Sequence, residues 1–216
     1  MDSTRGSIGS DVRRVNSTFY FISHPDVQVR PDLPVPDWPL SERGHARMQE
    51  CLRLPWVASV GAIYSSAERK ATDSAAHVAG KLSLPVNVIA ELGENDRSST
   101  GYLPPGEFEQ LANQFFAQPH RSVKGWERAI DAQARVVAAA RRISAETRGL
   151  SAVAVVSHGA VGTLLYCHLT QQPISRRFDQ PRNGGGNYFP YSLSPPAAHS
   201  GWRAIDEHVG SDVYRG

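Results

Sequence analysis

Ala152-Val153-Ala154-Val155-Val156-Ser157-His158-Gly159 is the stretch that decides the fold. Ala152 to Val156 are all small or branched and apolar, as expected of a central strand covered on both faces. The run ends in Ser157-His158, and Gly159 opens a segment, about Ala160 to Leu169, that reads as helix. Working back from it, a helix marked by Trp126, Ile130, Val137 and Ala140 ends near Gly149, a natural C-cap. Phe108, Leu111 and Phe115 line one face of the helix before that.

The amino-terminal part repeats the alternation. Thr18 to Ile22 reads as a first strand that stops at Ser23-His24-Pro25. A loop containing Pro31, Pro34, Pro36 and Pro39 follows, which cannot be regular helix. Ser41 is a plausible N-cap, with Glu42 favourable beside the helix dipole, for a helix running to about Leu54. A second strand is expected at Val57–Tyr64. Beyond Ser65-Ser66, Ala71, Ala75, Val78 and Leu82 fall on one helical face. Pro85 ends that helix, a third strand follows at Val86–Leu92, and Gly93 to Gly106 is a polar loop. Past Leu169 the chain is loop-rich, with Gly184-Gly185-Gly186, an edge strand near Asn187–Ser192 and a short strand near Trp202–Ile205. Strands alternating with helices imply an α/β domain, a three-layer α/β/α sandwich with a mostly parallel central sheet. One domain is expected over residues 18–216, after a flexible tail at 1–17.

Composition narrows the partners. The chain has 216 residues, with 23 Lys plus Arg against 21 Asp plus Glu. That balance provides no field for a nucleic-acid backbone or an anionic membrane, leaving small anions held by local clusters. No apolar run approaches a membrane span and no signal-peptide pattern opens the sequence, so a cytoplasmic location is expected. Cys51 and Cys167 stand far apart, as two reduced, buried thiols would. Nothing in the sequence sets an oligomeric state.

In open α/β sheets, ligands bind beyond the carboxyl ends of the strands. Here the first strand ends in Ser23-His24, the second in Ser65-Ser66 with Arg69 and Lys70 close behind, and the central one in Ser157-His158-Gly159. Leu92-Gly93-Glu94 adds a carboxylate. Two imidazoles, one or two cations and a carboxylate can therefore converge. The triple glycine lacks the strand-turn-helix context of a nucleotide loop and reads as a flexible turn, with Asn183 and Asn187 able to border the pocket.

These segments resemble the histidine phosphatase superfamily, also called phosphoglycerate mutase-like. Phe19-Tyr20-Phe21-Ile22-Ser23-His24-Pro25 and Pro39-Leu40-Ser41-Glu42-Arg43-Gly44 are similar to its opening, Arg-His-Gly and then Pro-Leu-(Ser/Thr)-x-x-Gly. Tyr64-Ser65-Ser66-Ala67-Glu68-Arg69-Lys70-Ala71 resembles its Ser-Ser-x-x-x-Arg-Ala segment, Leu92-Gly93-Glu94 its Leu-x-Glu, and Val156-Ser157-His158-Gly159 its second histidine motif. The resemblance implies a phosphomonoester hydrolase acting on a small phosphorylated metabolite, with no cofactor and no metal. It implies His24 as the nucleophile that forms a phosphohistidine, Glu94 as general acid and base, and His158 as a stabiliser of the phosphoryl group. Ser23, Lys70, Arg69, Ser157 and Gly159 are then the expected phosphate contacts, and Arg30, Arg97 and Asn187 possible substrate contacts.

The sequence also departs from that pattern. Ser23 and Pro25 stand where the family has arginine and glycine, which removes one bidentate phosphate clamp. The family's second arginine aligns with Lys70, with Arg69 one position away. Three other readings follow. One is a phosphoglycerate-type mutase capped by the insertion from Asp96 to about Trp126. Another is a non-catalytic anion- or protein-binding member of the fold. The third is a metal-dependent hydrolase using His24, Asp26 and His158.

Overall fold

All of strand β4 (Ala152–Ser157) is buried, and it lies in the middle of the sheet, as its unbroken apolar sequence requires. A computed structural model describes residues 17–207; the expected tail lies, apart from Ser17, outside the described residues. Strands β1 (Thr18–Ser23) and β2 (Val60–Ser65) flank β4 in parallel, and β3 (Val86–Val88) extends the sheet beyond β2. On the other side β5 (Asn187–Leu193) runs antiparallel to β1 and carries β6 (Pro196–Ala198) and β7 (Arg203–Ala204). The order is β3-β2-β4-β1-β5-β6, with β7 also on β5.

Alternation along β4 builds the two outer layers. Val153 and Val155 join Phe19 and Phe21 in a core with α3 (Pro105–Ala117), α4 (Ala129–Glu146) and α5 (Gly159–Leu169). Ala152, Ala154 and Val156 face the other way with Ile22 and Ile63, against α1 (Glu42–Cys51) and α2 (Arg69–Leu82). Small residues on that face let α2 pack close through Ala71, Ala75 and Val78. Each fully buried Val or Phe side chain contributes about 1.5–3 kcal/mol, so this two-sided burial holds β4, and the residues at its end, in place. The expected three-layer α/β/α architecture is the one observed.

Several element boundaries differ from the sequence reading. Pro55 starts a 3-10 turn, Pro55–Ser59, so β2 begins at Val60 rather than Val57. β3 stops at Val88, and Ala90–Leu92 forms another such turn, which sends Glu94 back across the sheet end. β5 is an inner strand rather than an edge, because β6 and β7 cover its far side. Ser41 caps α1 as expected, its Oγ accepting from the Gly44 N–H at 3.1 Å. Cys51 and Cys167 are buried, free thiols. Among the described residues no helix is long and apolar enough to cross a membrane.

Candidate active site

The parallel register of β1 and β4 sets Ser23 opposite Ser157, so two Ser-His pairs end adjacent strands. The His24 and His158 rings meet edge to face, centroids 5.1 Å apart. His24 Nδ1 lies 2.9 Å from the Pro25 carbonyl oxygen. A carbonyl can only accept, so the proton sits on Nδ1 and Nε2 carries the free lone pair. Burial pulls the His24 pKa down to about 4, helped by Lys70 and Arg97 and opposed by the Pro25 carbonyl and Glu68. The ring is therefore neutral near pH 7.

The triple glycine clasps the His24 backbone. All three glycines have positive φ, and the Gly186 N–H donates to the His24 carbonyl at 3.0 Å. A Cβ on Gly185 would stand 2.3 Å from that carbonyl oxygen, so only glycine fits.

His158 is fully buried. Its Nε2 lies 2.7 Å from Ser66 Oγ and 3.2 Å from Glu68 Oε1. A proton on Nε2 suits the nearby carboxylate; His158 Nδ1 is buried and has no hydrogen-bond partner among the described residues. Burial keeps the His158 pKa well below its ordinary value, despite Glu68. Glu68 also pairs with Lys70 Nζ at 2.7 Å and accepts the Glu94 backbone N–H at 2.8 Å. Burial alone would raise the Glu68 pKa, but His158, Lys70 and that N–H bring it to about 2. Lys70, almost fully buried, donates in addition to the Val35 carbonyl at 2.6 Å.

Glu94 sits at the start of α5. Its carboxylate accepts from the N–H groups of Asn95, Val161 and Ala160 at 3.2, 3.1 and 3.3 Å. Burial nevertheless raises its pKa, and the Glu68 carboxylate adds to this, against Arg97 and those N–H donors. Arg135 fixes the loop by donating to the Glu91, Gly93 and Glu94 carbonyls. A raised pKa favours the protonated form that a proton donor needs.

His24, Glu68, Lys70, Glu94 and Arg97 line one cavity of about 770 Å³. Its outer walls are mainly apolar, formed by Val27, Val35, Trp38, Tyr102, Leu103 and Phe108. The Trp38 and Tyr102 rings stand 5.4 Å apart, and the Arg97 guanidinium lies over Phe108 at 5.0 Å. Asn95 also lines the cavity, with a buried Nδ2 that has no partner among the described residues.

Other expected contacts lie elsewhere. Arg69 turns outward, 60% exposed, and pairs with Asp73 one helical turn on at 2.9 Å; Lys70 is the inward cation. Arg30 is exposed and pairs with Asp32 at 2.8 Å. The Ser23 hydroxyl is buried and donates to Gln180 Oε1 at 2.6 Å while accepting the Asn187 N–H at 3.0 Å. Asn187 is likewise buried, its Nδ2 donating to Gln180 Oε1 at 3.0 Å. Ser157 Oγ donates to the Leu92 carbonyl at 2.6 Å and so ties the Glu94 loop to β4. Gly159 opens α5, where a Cβ would fall 2.3 Å from Gln180 Nε2. The next two N–H groups of α5 are taken up by Glu94. Asp26 pairs with Arg47 at 2.9 Å and Arg43 at 3.2 Å rather than with the histidines. Among the described residues no group of three or more His, Cys, Asp or Glu side chains is arranged to hold a metal ion.

Sequence reasoning missed Glu68, Asn95 and Gln180. Glu68 carried a usable signal, since it follows the end of β2 just as Lys70 does.

The model of the histidine phosphatase superfamily (branch 1) matches residues 19–188. No curated protein sequence matches the chain. Among solved structures, the chain is similar to Bacillus stearothermophilus YhfR, with 25% identity, TM-score 0.71 and coverage of 85% of this chain and 94% of the other. It is also similar to a mycobacterial glucosyl-3-phosphoglycerate phosphatase, with 17% identity, TM-score 0.72 and coverage of 87% and 99%. A putative alpha-ribazole-5'-P phosphatase from Escherichia coli K-12 gives 20% identity, TM-score 0.65 and coverage of 88% and 95%. With its two histidines side by side at the ends of β1 and β4, the chain belongs to the histidine phosphatase superfamily.

Proposed function

We propose that the chain hydrolyses phosphomonoesters with an apolar or aromatic alcohol part, through a phosphohistidine on His24. The observation that carries this reading is the state of His24, neutral and with its Nδ1 proton held by the Pro25 carbonyl. Nε2 then has a lone pair to offer phosphorus. As the N–P bond forms, the ester P–O bond breaks, and the departing alkoxide takes the Glu94 proton. The resulting carboxylate removes a proton from water, whose oxygen attacks phosphorus. The N–P bond breaks, leaving inorganic phosphate, neutral His24 and protonated Glu94. Lys70, Arg97 and His158 supply charge and hydrogen bonds to the phosphoryl oxygens, the main work of phosphoryl transfer. The apolar walls support the choice of alcohol, since they offer a polyhydroxylated body few partners for the hydrogen bonds to water it would lose there. Two of the similar solved structures are described as phosphatases, which supports the reaction class.

Phosphate release from an aryl phosphate is the test. Turnover in the wild type that disappears in His24→Ala is the expected result; turnover that survives the substitution sinks the phosphohistidine mechanism. A second reading, a non-catalytic anion- or protein-binding member, is favoured by the pairing of Lys70 with Glu68 and by Ser23 in the arginine position. It predicts no phosphate release from either protein.

A further inference from the structure

Three donors at the inner end of the cavity converge on one carboxylate. Glu68 Oε1 lies 3.2 Å from His158 Nε2, and the Glu68 carboxylate receives the Lys70 ammonium at 2.7 Å and the Glu94 backbone N–H at 2.8 Å. An imidazole N–H, an ammonium and an amide form the kind of set that phosphoryl oxygens require. Glu68 also lines the cavity beside His24, so its carboxylate lies on the path of any anion that approaches these donors. It is the N-cap residue of α2, with extended backbone, and its side chain makes no capping hydrogen bond. It can therefore swing into the cavity without unwinding the helix.

We propose that Glu68 is the resident occupant of the phosphoryl seat, displaced when substrate binds, and that it selects esters with an apolar body over bare inorganic phosphate. Free phosphate gains only the donors that Glu68 already holds. An ester gains contact with Trp38, Tyr102 and Phe108 as well, and this added contact drives the exchange. Product phosphate, once severed from that body, is expelled by the returning carboxylate. The inference rests on the phosphatase reading and assigns a selectivity to the same site.

Isothermal titration of inorganic phosphate into the wild type and Glu68→Gln tests it. The substitution keeps the shape and removes the charge, and phosphate binding should tighten at least about 10-fold. The inhibition constant for phosphate should fall by more than the KM for an aryl phosphate. Equal or weaker binding by a folded variant overturns the inference and leaves Glu68 as a positioning residue for His158 and Lys70. No phosphate binding by either protein overturns the inference, and aryl phosphate turnover by the wild type then decides the phosphatase reading separately. Should Glu68→Gln and Glu68→Ala both fail to fold, imidazole nitrogen NMR of the wild type decides. Saturating orthovanadate must shift the His158 Nε2 resonance, and an unmoved resonance refutes displacement.

Discussion

Ser23-His24 and Ser157-His158 are the same dipeptide at the ends of two strands paired in register, yet only His24 lines the cavity. His158 is closed in by Ser66 and Glu68, from the junction of β2 and α2. At His24, Pro25 turns the chain away and the glycine clasp grips only its backbone, leaving the ring accessible. The serines diverge too: Ser23 binds Gln180, and Ser157 anchors the Glu94 loop. The difference teaches that strand register places a side chain, whereas the neighbours that cover it decide what it can reach.

The largest expected effect breaks that comparison directly. His24→Ala should lower aryl phosphatase turnover at least about 10⁴-fold, as loss of a nucleophile does, and His158→Ala by about 10²–10³-fold, as loss of one transition-state donor does. Equal losses would show that the two imidazoles share one role. A smaller effect comes from the clasp. Gly185→Ala combines a positive φ with a Cβ that would press on the His24 carbonyl, and should cost about 1–3 kcal/mol of stability by chemical denaturation. It should impair turnover while leaving the buried His158 contacts intact, which imidazole NMR can check.

The smallest effect sharpens the electrostatic side of the comparison. The folded-state pKa of His24 falls from 6.5 to about 4, so the folded state resists its protonation. Its share of stability is full above pH 6.5 and is lost as pH falls towards 4, where the unfolded chain binds more protons. His24→Ala should therefore show a shallower fall in Tm over that window than the wild type. His158, which is also depressed, keeps part of the slope. Glu68 acts lower, its share disappearing as pH falls from 4.5 towards 2. Parallel Tm profiles for wild type and His24→Ala above pH 4 would show that His24 is not held neutral by the fold.

Much of this was legible in the sequence. The run Ala152–Val156 identified the central strand, Ser41 the first cap, and the polar residues at strand ends marked where His24, Glu94 and His158 meet. Less legible was any outcome decided by a partner from another element. Arg69 and Lys70 are adjacent, and only Asp73 on one side and Glu68 on the other show which turns inward. Ser23 looked like a weak phosphate ligand because Gln180, its actual acceptor, lies far along the chain. Glu68 is missed by the sequence reading, since its meaning requires β2, β4 and the Glu94 loop to be in place together.

One consequence of the strand order concerns synthesis. The neighbours of β1 are β4 and β5, so the strand carrying His24 has no partner close to it in sequence. A growing chain exposes Phe19, Tyr20, Phe21 and Ile22 as an unpaired apolar ribbon until residues beyond 150 have emerged from the ribosome. Pairings of such long span form slowly and late. His24 is therefore translated early and seated among the last, and a nascent chain that ends before the glycine clasp cannot yet hold its backbone as the folded chain does.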